Sequence, residues 1–186
     1  MMTLSTHKKV LIIAGETSGD AHGAELVREI KKLNESITFY GIGGNGLKSE
    51  GGKILVDASE LSVVGITEVF SKLPAVLKSF SIVKNILRTD RPDLVILIDF
   101  PDFNLVVAKI AKKFKIPVLY YVSPQIWAWR SGRIGRIKLD VEHMAVILPF
   151  EKEYYTAHAV PTTFVGHPLL DYYVDSPPKD CSAIDI

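Results

Sequence analysis

The chain has 186 residues and is 47% hydrophobic, enough for one core of ordinary domain size and too little for two large ones. Its 22 basic and 21 acidic residues leave a formal charge of +1, so no global field points to nucleic acid or to a strongly acidic partner, and any charge bias is local. A single cysteine, Cys181, excludes an internal disulfide and a cysteine zinc cluster, which suits a reducing cytosol. No apolar run approaches the roughly 18 residues of a spanning helix, and "MMTLSTHKK" leads straight into a strand with no export signal in view.

Short apolar runs then alternate with amphipathic stretches. Strands are predicted at 10–14 (VLIIA), 37–42 (ITFYGI), 53–56 (KILV), 94–98 (LVILI), 118–122 (VLYYV), 144–148 (MAVIL) and 162–165 (TTFV). Their near-continuous hydrophobicity is that of a parallel sheet covered on both faces. After the first strand, Asp20 is a candidate helix cap, with Gly23, Leu26, Val27, Ile30 and Leu33 on one helical face. After the fourth, Phe103, Val106, Val107, Ile110, Ala111 and Phe114 repeat the pattern. This βαβα order, with right-handed crossovers, predicts an α/β fold: a Rossmann-like, doubly wound parallel sheet in the order 3-2-1-4-5 with further strands at one edge. One domain is expected over 1–175; residues 176–186, with Pro177 and Pro178 and no periodicity, read as a linker or the start of a second domain.

In that order the winding reverses between strands 1 and 4, so the loops "GETSGD" and "DFPDFN" open a crevice, and "SPQIWAWR" after strand 5 reaches the same edge. The first loop lacks the lysine of a P-loop, and its carboxylates would repel a polyphosphate; Glu16, Ser18, Gly19 and Asp20 suit hydrogen bonding to sugar hydroxyls instead. On the second loop Asp99 stands at a strand end beside apolar walls, where a raised pKa would fit a general base acting on a hydroxyl. Asp102 and Asn104 are candidates for substrate contact there, although Asp102 after Pro101 equally suits a helix cap. On the third loop the candidates are Ser123, Gln125, Trp127, Trp129 and Arg130; the indoles can stack on a sugar or shelter acyl chains, and Arg130, Arg133, Arg136 and Lys138 can meet phosphate. This mix of aromatics and arginines carries no RNA-binding signature.

"GIGGNG" contains a literal G-x-G-x-x-G at Gly41, Gly43 and Gly46, but it follows the second strand, so a Gly-rich turn is favoured over a dinucleotide site. No histidine pair has zinc-ligand spacing; neither metal nor cofactor is expected, and only His167, in "FVGHPLLD", falls where the same edge would use it. The stretch Val69–Thr89 carries Lys72, Lys78, Lys84 and Arg88 and no acid. Its apolar residues are candidates for a bilayer interface, with Phe70, Leu73, Val76 and Leu77 as the dipping set, or for packing on the sheet.

"AGETSGD", "IDFPDFN", "SPQIWAWR", "LPFE" and "FVGHPLLD", in this order from about Val10 to Asp171, resemble the lipid-A-disaccharide synthase family, glycosyltransferases of the two-Rossmann-domain (GT-B) type in Gram-negative bacteria. The resemblance implies an inverting, metal-free transfer of 2,3-diacylglucosamine from its UDP conjugate to the 6-hydroxyl of 2,3-diacylglucosamine 1-phosphate, with release of UDP. It also implies that Asp99 is the general base and Glu16 a polar group of the active-site turn. Acylated, UDP-linked lipid substrates and peripheral attachment to the cytoplasmic face of the inner membrane follow from the same resemblance. This chain then corresponds to the N-terminal half, inactive without the UDP-binding C-terminal domain, with a homodimer one open assembly of the full-length protein. The residues are equally compatible with a non-catalytic module that binds glycolipid or sugar.

Overall fold

Among the described residues seven strands, β1 (Lys8–Ala14), β2 (Ile37–Gly43), β3 (Lys53–Asp57), β4 (Leu94–Ile98), β5 (Val118–Tyr121), β6 (His143–Val146) and β7 (Thr162–Phe164), pair in parallel in the order β3-β2-β1-β4-β5-β6-β7. The computed structural model describes residues 7–61 and 68–170, leaving undescribed the side chains of 68–72 and of Trp129. Every predicted strand is present, 94–98 with the same ends and the others with an end shifted by at most two residues, and the two added strands extend the β5 edge.

Alternation along β1 divides the core. Leu11 and Ile13 face one layer with Val83 and Leu87 of α3 (Glu68–Thr89) and Phe103, Val107 and Ala111 of α4 (Pro101–Lys113). Val10, Ile12 and Ala14 face the other, with Val27 of α1 (Thr17–Leu33) and Leu47 of α2 (Asn45–Ser49). Leu11, Ile12, Ile13, Val95, Leu97 and Ile98 have no exposed surface, as central strands of a sheet covered on both faces require. Burying each such side chain contributes about 1.5–3 kcal/mol. Beyond β5 come the short helices α5 (Ile126–Trp129) and α6 (Ile134–Asp140) and then, after β6, α7 (Pro149–Ala157).

Several local expectations are corrected. Asp20 does not cap its own helix: α1 begins at Thr17 behind Glu16, and Asp20 lies a turn inside. Its carboxylate accepts from the amides of Gly44 (2.6 Å), Gly46 (2.8 Å) and Leu47 (3.1 Å), so it closes the Gly-rich turn and the N-terminus of α2. "GIGGNG" is glycine-rich for this reason, since a Cβ on Gly44 or Gly46 would lie 2.8 Å from Asp20 Oδ2. Leu33, expected on the buried face of α1, is the last residue of the helix and 88% exposed. Asp102 is not a cap either, because α4 starts at Pro101 behind Phe100.

Residues 68–89 form the continuous helix α3. Val76 of the proposed dipping set packs against the core, and Phe80, one turn on, stacks on Phe103 with centroids 4.1 Å apart. Leu73 and Leu77, which the helical period places on nearly the same side as Val76 and Phe80, are nevertheless 51% and 57% exposed. The side chains of Phe70 and Lys72 lie outside the described residues. No described helix is long and apolar enough to cross a membrane.

Asp20→Ala would leave three amides of the α2 turn without their acceptor. A loss of about 2–3 kcal/mol in urea unfolding is expected, and a loss under about 0.5 kcal/mol would show that the turn holds itself.

Candidate active site

The site is built on the turn that follows β4. Asp99 and Phe100 both adopt left-handed backbone, with φ of 43° and 48°, and Val122 after β5 does so at 58°. For residues other than glycine this costs about 1–3 kcal/mol each and persists only where surrounding contacts impose it. Here they do. The Asp99 amide donates to the carbonyl of Val122 at 3.2 Å. The Asp99 carbonyl accepts from Asn104 Nδ2 at 2.7 Å and from the Tyr120 hydroxyl at 2.6 Å, and Asn104 Nδ2 also reaches the carbonyl of Ile98 at 3.1 Å. Asn104 and Tyr120 are fully buried. Burial, reinforced by the nearby Asp99 charge, pushes the Tyr120 hydroxyl well above its usual range, which keeps it a donor. The Phe100 ring passes so close over Gly15 at the end of β1 that a Cβ there would run into it, so the two central loops meet only because Gly15 has no side chain.

The Asp99 side chain lines a cavity of about 560 Å³. Burial raises its pKa, the neighbouring Glu16 carboxylate raises it further, and a hydrogen bond from the Phe100 amide opposes both. Across the cavity Asp102 is ion-paired with Arg130 at 2.9 Å and with Arg133. A third carboxylate, Glu151 in the first turn of α7, is 2% exposed and accepts from Ser123 Oγ (2.6 Å), Trp127 Nε1 (3.3 Å) and the Leu148 amide (3.2 Å). Trp127 meets Phe150 edge-on at 4.8 Å.

Geometry of this kind leaves the family open; sequence comparison decides it. The family model described as Lipid-A-disaccharide synthetase matches residues 10–184. The chain belongs to the lipid-A-disaccharide synthetase family. Proteins named lipid-A-disaccharide synthase from Syntrophus aciditrophicus and Trichlorobacter lovleyi are similar to it. The first is 55% identical over 164 residues, 88% of this chain and 43% of that protein; the second is 48% identical over 182 residues, 98% of this chain and 48% of that protein. The chain thus spans a little under half the length of these curated relatives. Among solved structures, the UDP-GlcNAc 2-epimerase of Neisseria meningitidis bound to UDP-GlcNAc superposes with a TM-score of 0.64 at 15% identity, covering 89% of this chain and 48% of that one. The MurG of Acinetobacter baumannii gives 0.50 at 14% identity, covering 77% and 41%. At those identities the likeness is one of fold, that of the GT-B glycosyltransferases and sugar-nucleotide epimerases.

Within this family fold, Asp99, Asp102, Ser123, Gln125 and Arg130 of the sequence-derived set share one cavity. Glu16 is outside its lining but close enough for its charge to act on Asp99, and its side chain makes no capping bond to α1. Ser18 is exposed on the first turn of α1, and Gly19 is buried where that helix meets Ala14 and Ile98. Two candidates for sugar contact are corrected: the carboxylate of Asp20 is tied up by backbone amides, and Asn104 sits beneath the turn rather than in the cavity. His167 lies apart from this cavity and lines another, of about 360 Å³, with Leu26, Leu119 and Tyr121. There it meets His22 edge-on at 6.3 Å, and burial, followed by the His167 charge, lowers the pKa of His22. Trp127 is half-buried with its indole N–H turned to Glu151, and the Trp129 side chain is outside the described residues. Arg133, read from sequence only as one of several basic residues able to meet phosphate, lines the cavity as well, and so does Glu151, which the sequence reading missed and whose only signal was its place in "LPFE". Among the described residues no group of three or more histidine, cysteine, aspartate or glutamate side chains could hold a metal ion.

The raised pKa of Asp99 carries a stability consequence. The folded state holds the Asp99 proton more tightly than the unfolded state, so stability falls as pH rises from the ordinary carboxylate range through the folded pKa. Asp99→Asn should therefore raise the melting temperature at neutral pH, with the gain shrinking as pH falls through the folded pKa and gone once pH is below the ordinary carboxylate range. A gain independent of pH would instead report the better fit of asparagine to left-handed backbone.

Proposed function

We propose that the full-length protein transfers 2,3-diacylglucosamine from its UDP conjugate to the 6-hydroxyl of 2,3-diacylglucosamine 1-phosphate, and that this chain supplies the acceptor side and the base. The observation that supports this reading best is Asp99: a carboxylate of raised pKa, held by a strained backbone at the wall of a cavity of about 560 Å³. A sugar hydroxyl is a weak nucleophile near neutral pH. Asp99 takes its proton as the oxygen attacks the anomeric carbon; the bond from that carbon to the diphosphate breaks, and the electron pair leaves with UDP. Attack opposite the leaving group in one displacement inverts the anomeric centre. Neighbouring apolar walls and Glu16 make the Asp99 carboxylate more basic than one in water, which favours proton transfer at physiological pH. In this reading the UDP group is held by sequence outside this chain.

In the full-length protein, Asp99→Asn keeps the shape of the side chain and removes the base, so turnover should fall by about 10²–10⁴-fold with the fold intact. Near-normal kcat in the purified variant would make Asp99 a structural residue and sink the mechanism.

Both lipid substrates reside in a membrane in this reading, and the protein works from its cytoplasmic face. Attachment falls to the N-terminal half of α3, where Leu73 and Leu77 are exposed beside Lys78. Replacing Leu73 and Leu77 with serine should abolish co-sedimentation with anionic vesicles and leave the melting temperature unchanged, since neither side chain is in the core. Undiminished binding would remove α3 as the anchor.

A further inference from the structure

We propose that Arg130 and Arg133 form a subsite for a phosphate monoester carried by a sugar, and that Asp102 is its displaceable internal counter-ion. The two guanidinium groups lie three residues apart on the single 3-10 turn between α5 and α6, where the Arg133 amide donates to the Arg130 carbonyl at 2.9 Å, and both donate to the same oxygen, Asp102 Oδ1. One carboxylate against two guanidinium groups leaves a positive charge in the trio. Among the described residues neither guanidinium has a second side-chain partner, so most of their N–H groups remain available to an incoming oxyanion. The planar guanidinium fork matches the terminal oxygens of a phosphate, and two forks presented by one turn onto a single point suit a dianion better than a single carboxylate oxygen.

The position of the trio favours exchange. The Asp102 side chain is 71% exposed and that of Arg130 57%, so Asp102 can turn to water with little loss, as exposed ion pairs contribute little to stability. Arg133 is more enclosed, at 22% exposed, and is the fixed member of the pair. All three line the cavity that also holds Asp99, so a phosphate seated here anchors one end of a sugar whose hydroxyl faces the base. That last step rests on the transferase reading above; the subsite itself does not.

Calorimetric titration of this chain tests the subsite without any transfer step. The probes are N-acetylglucosamine 1-phosphate, N-acetylglucosamine, and phosphatidic acid vesicles as the alternative source of phosphate. The sugar phosphate should bind at least about tenfold more tightly than the neutral sugar, and Arg130→Ala and Arg133→Ala should each weaken it about tenfold, the scale of one charge-assisted hydrogen-bond set. Arg133→Lys keeps the charge and loses the fork, so it should fall between Arg133→Ala and the parent. Asp102→Asn should tighten binding several-fold, an outcome that a purely structural ion pair would not produce. Equal binding of the two sugars would overturn the proposal. So would unchanged affinity in both arginine variants with native melting temperatures, unchanged or weaker affinity in Asp102→Asn, or binding confined to vesicles. A transferase that survives Asp99→Asn would leave these titrations unaffected, whereas a silent titration would leave the Asp99 mechanism standing, so the two readings fail separately.

Discussion

Two side-chain donors on one backbone carbonyl hold the candidate site together. Asn104 and Tyr120 converge on the oxygen of Asp99, and that contact lets two consecutive residues other than glycine stay in left-handed backbone at the end of a central strand. The strain of such a turn, about 1–3 kcal/mol per residue, is of the same order as two buried hydrogen bonds to a carbonyl in a low-dielectric interior. Without them the chain would relax toward an ordinary strand-to-helix turn, and the Asp99 side chain would lose its direction into the cavity. Gly15 belongs to the same constraint, because the Phe100 ring can lie over the end of β1 only where no Cβ stands.

Four carboxylates at this end of the sheet show how environment assigns roles to similar side chains. Asp20 is saturated by three backbone amides and acts as a structural clamp on α2. Glu151 is buried but has a hydroxyl, an indole N–H and an amide as donors, so it joins the Trp127 loop to α7. Asp102 is exposed and satisfied by two arginines. Asp99 combines partial burial, a like charge nearby and a raised pKa, the combination that favours proton transfer to and from a substrate over a fixed structural bond.

The sheet was legible from sequence because a parallel strand covered on both faces reads as an unbroken apolar run, and the order of runs and helices fixed where the winding reverses. Asp99 was legible for the same reason: a carboxylate at the end of such a run has no packing role. What stayed hidden were pairings between distant segments. Asp20 looks like a cap of the helix it sits in, and only the fold brings the amides of 44–47 to it. Asn104 carries no periodic signal that separates a residue facing substrate from one facing the strand beneath. In α3 a helical period alone could not divide Leu73 and Leu77 from Val76 and Phe80, which turn toward the core.

The most direct measurement on the central claim is the titration of the Asp99 carboxyl carbon by NMR in this chain, beside the same titration in Glu16→Gln. Its midpoint should lie above that of an ordinary aspartate, about 3.9, and should move down when the Glu16 charge is removed. A midpoint at or below the ordinary value, unmoved by Glu16→Gln, would contradict the assignment of Asp99 as the base.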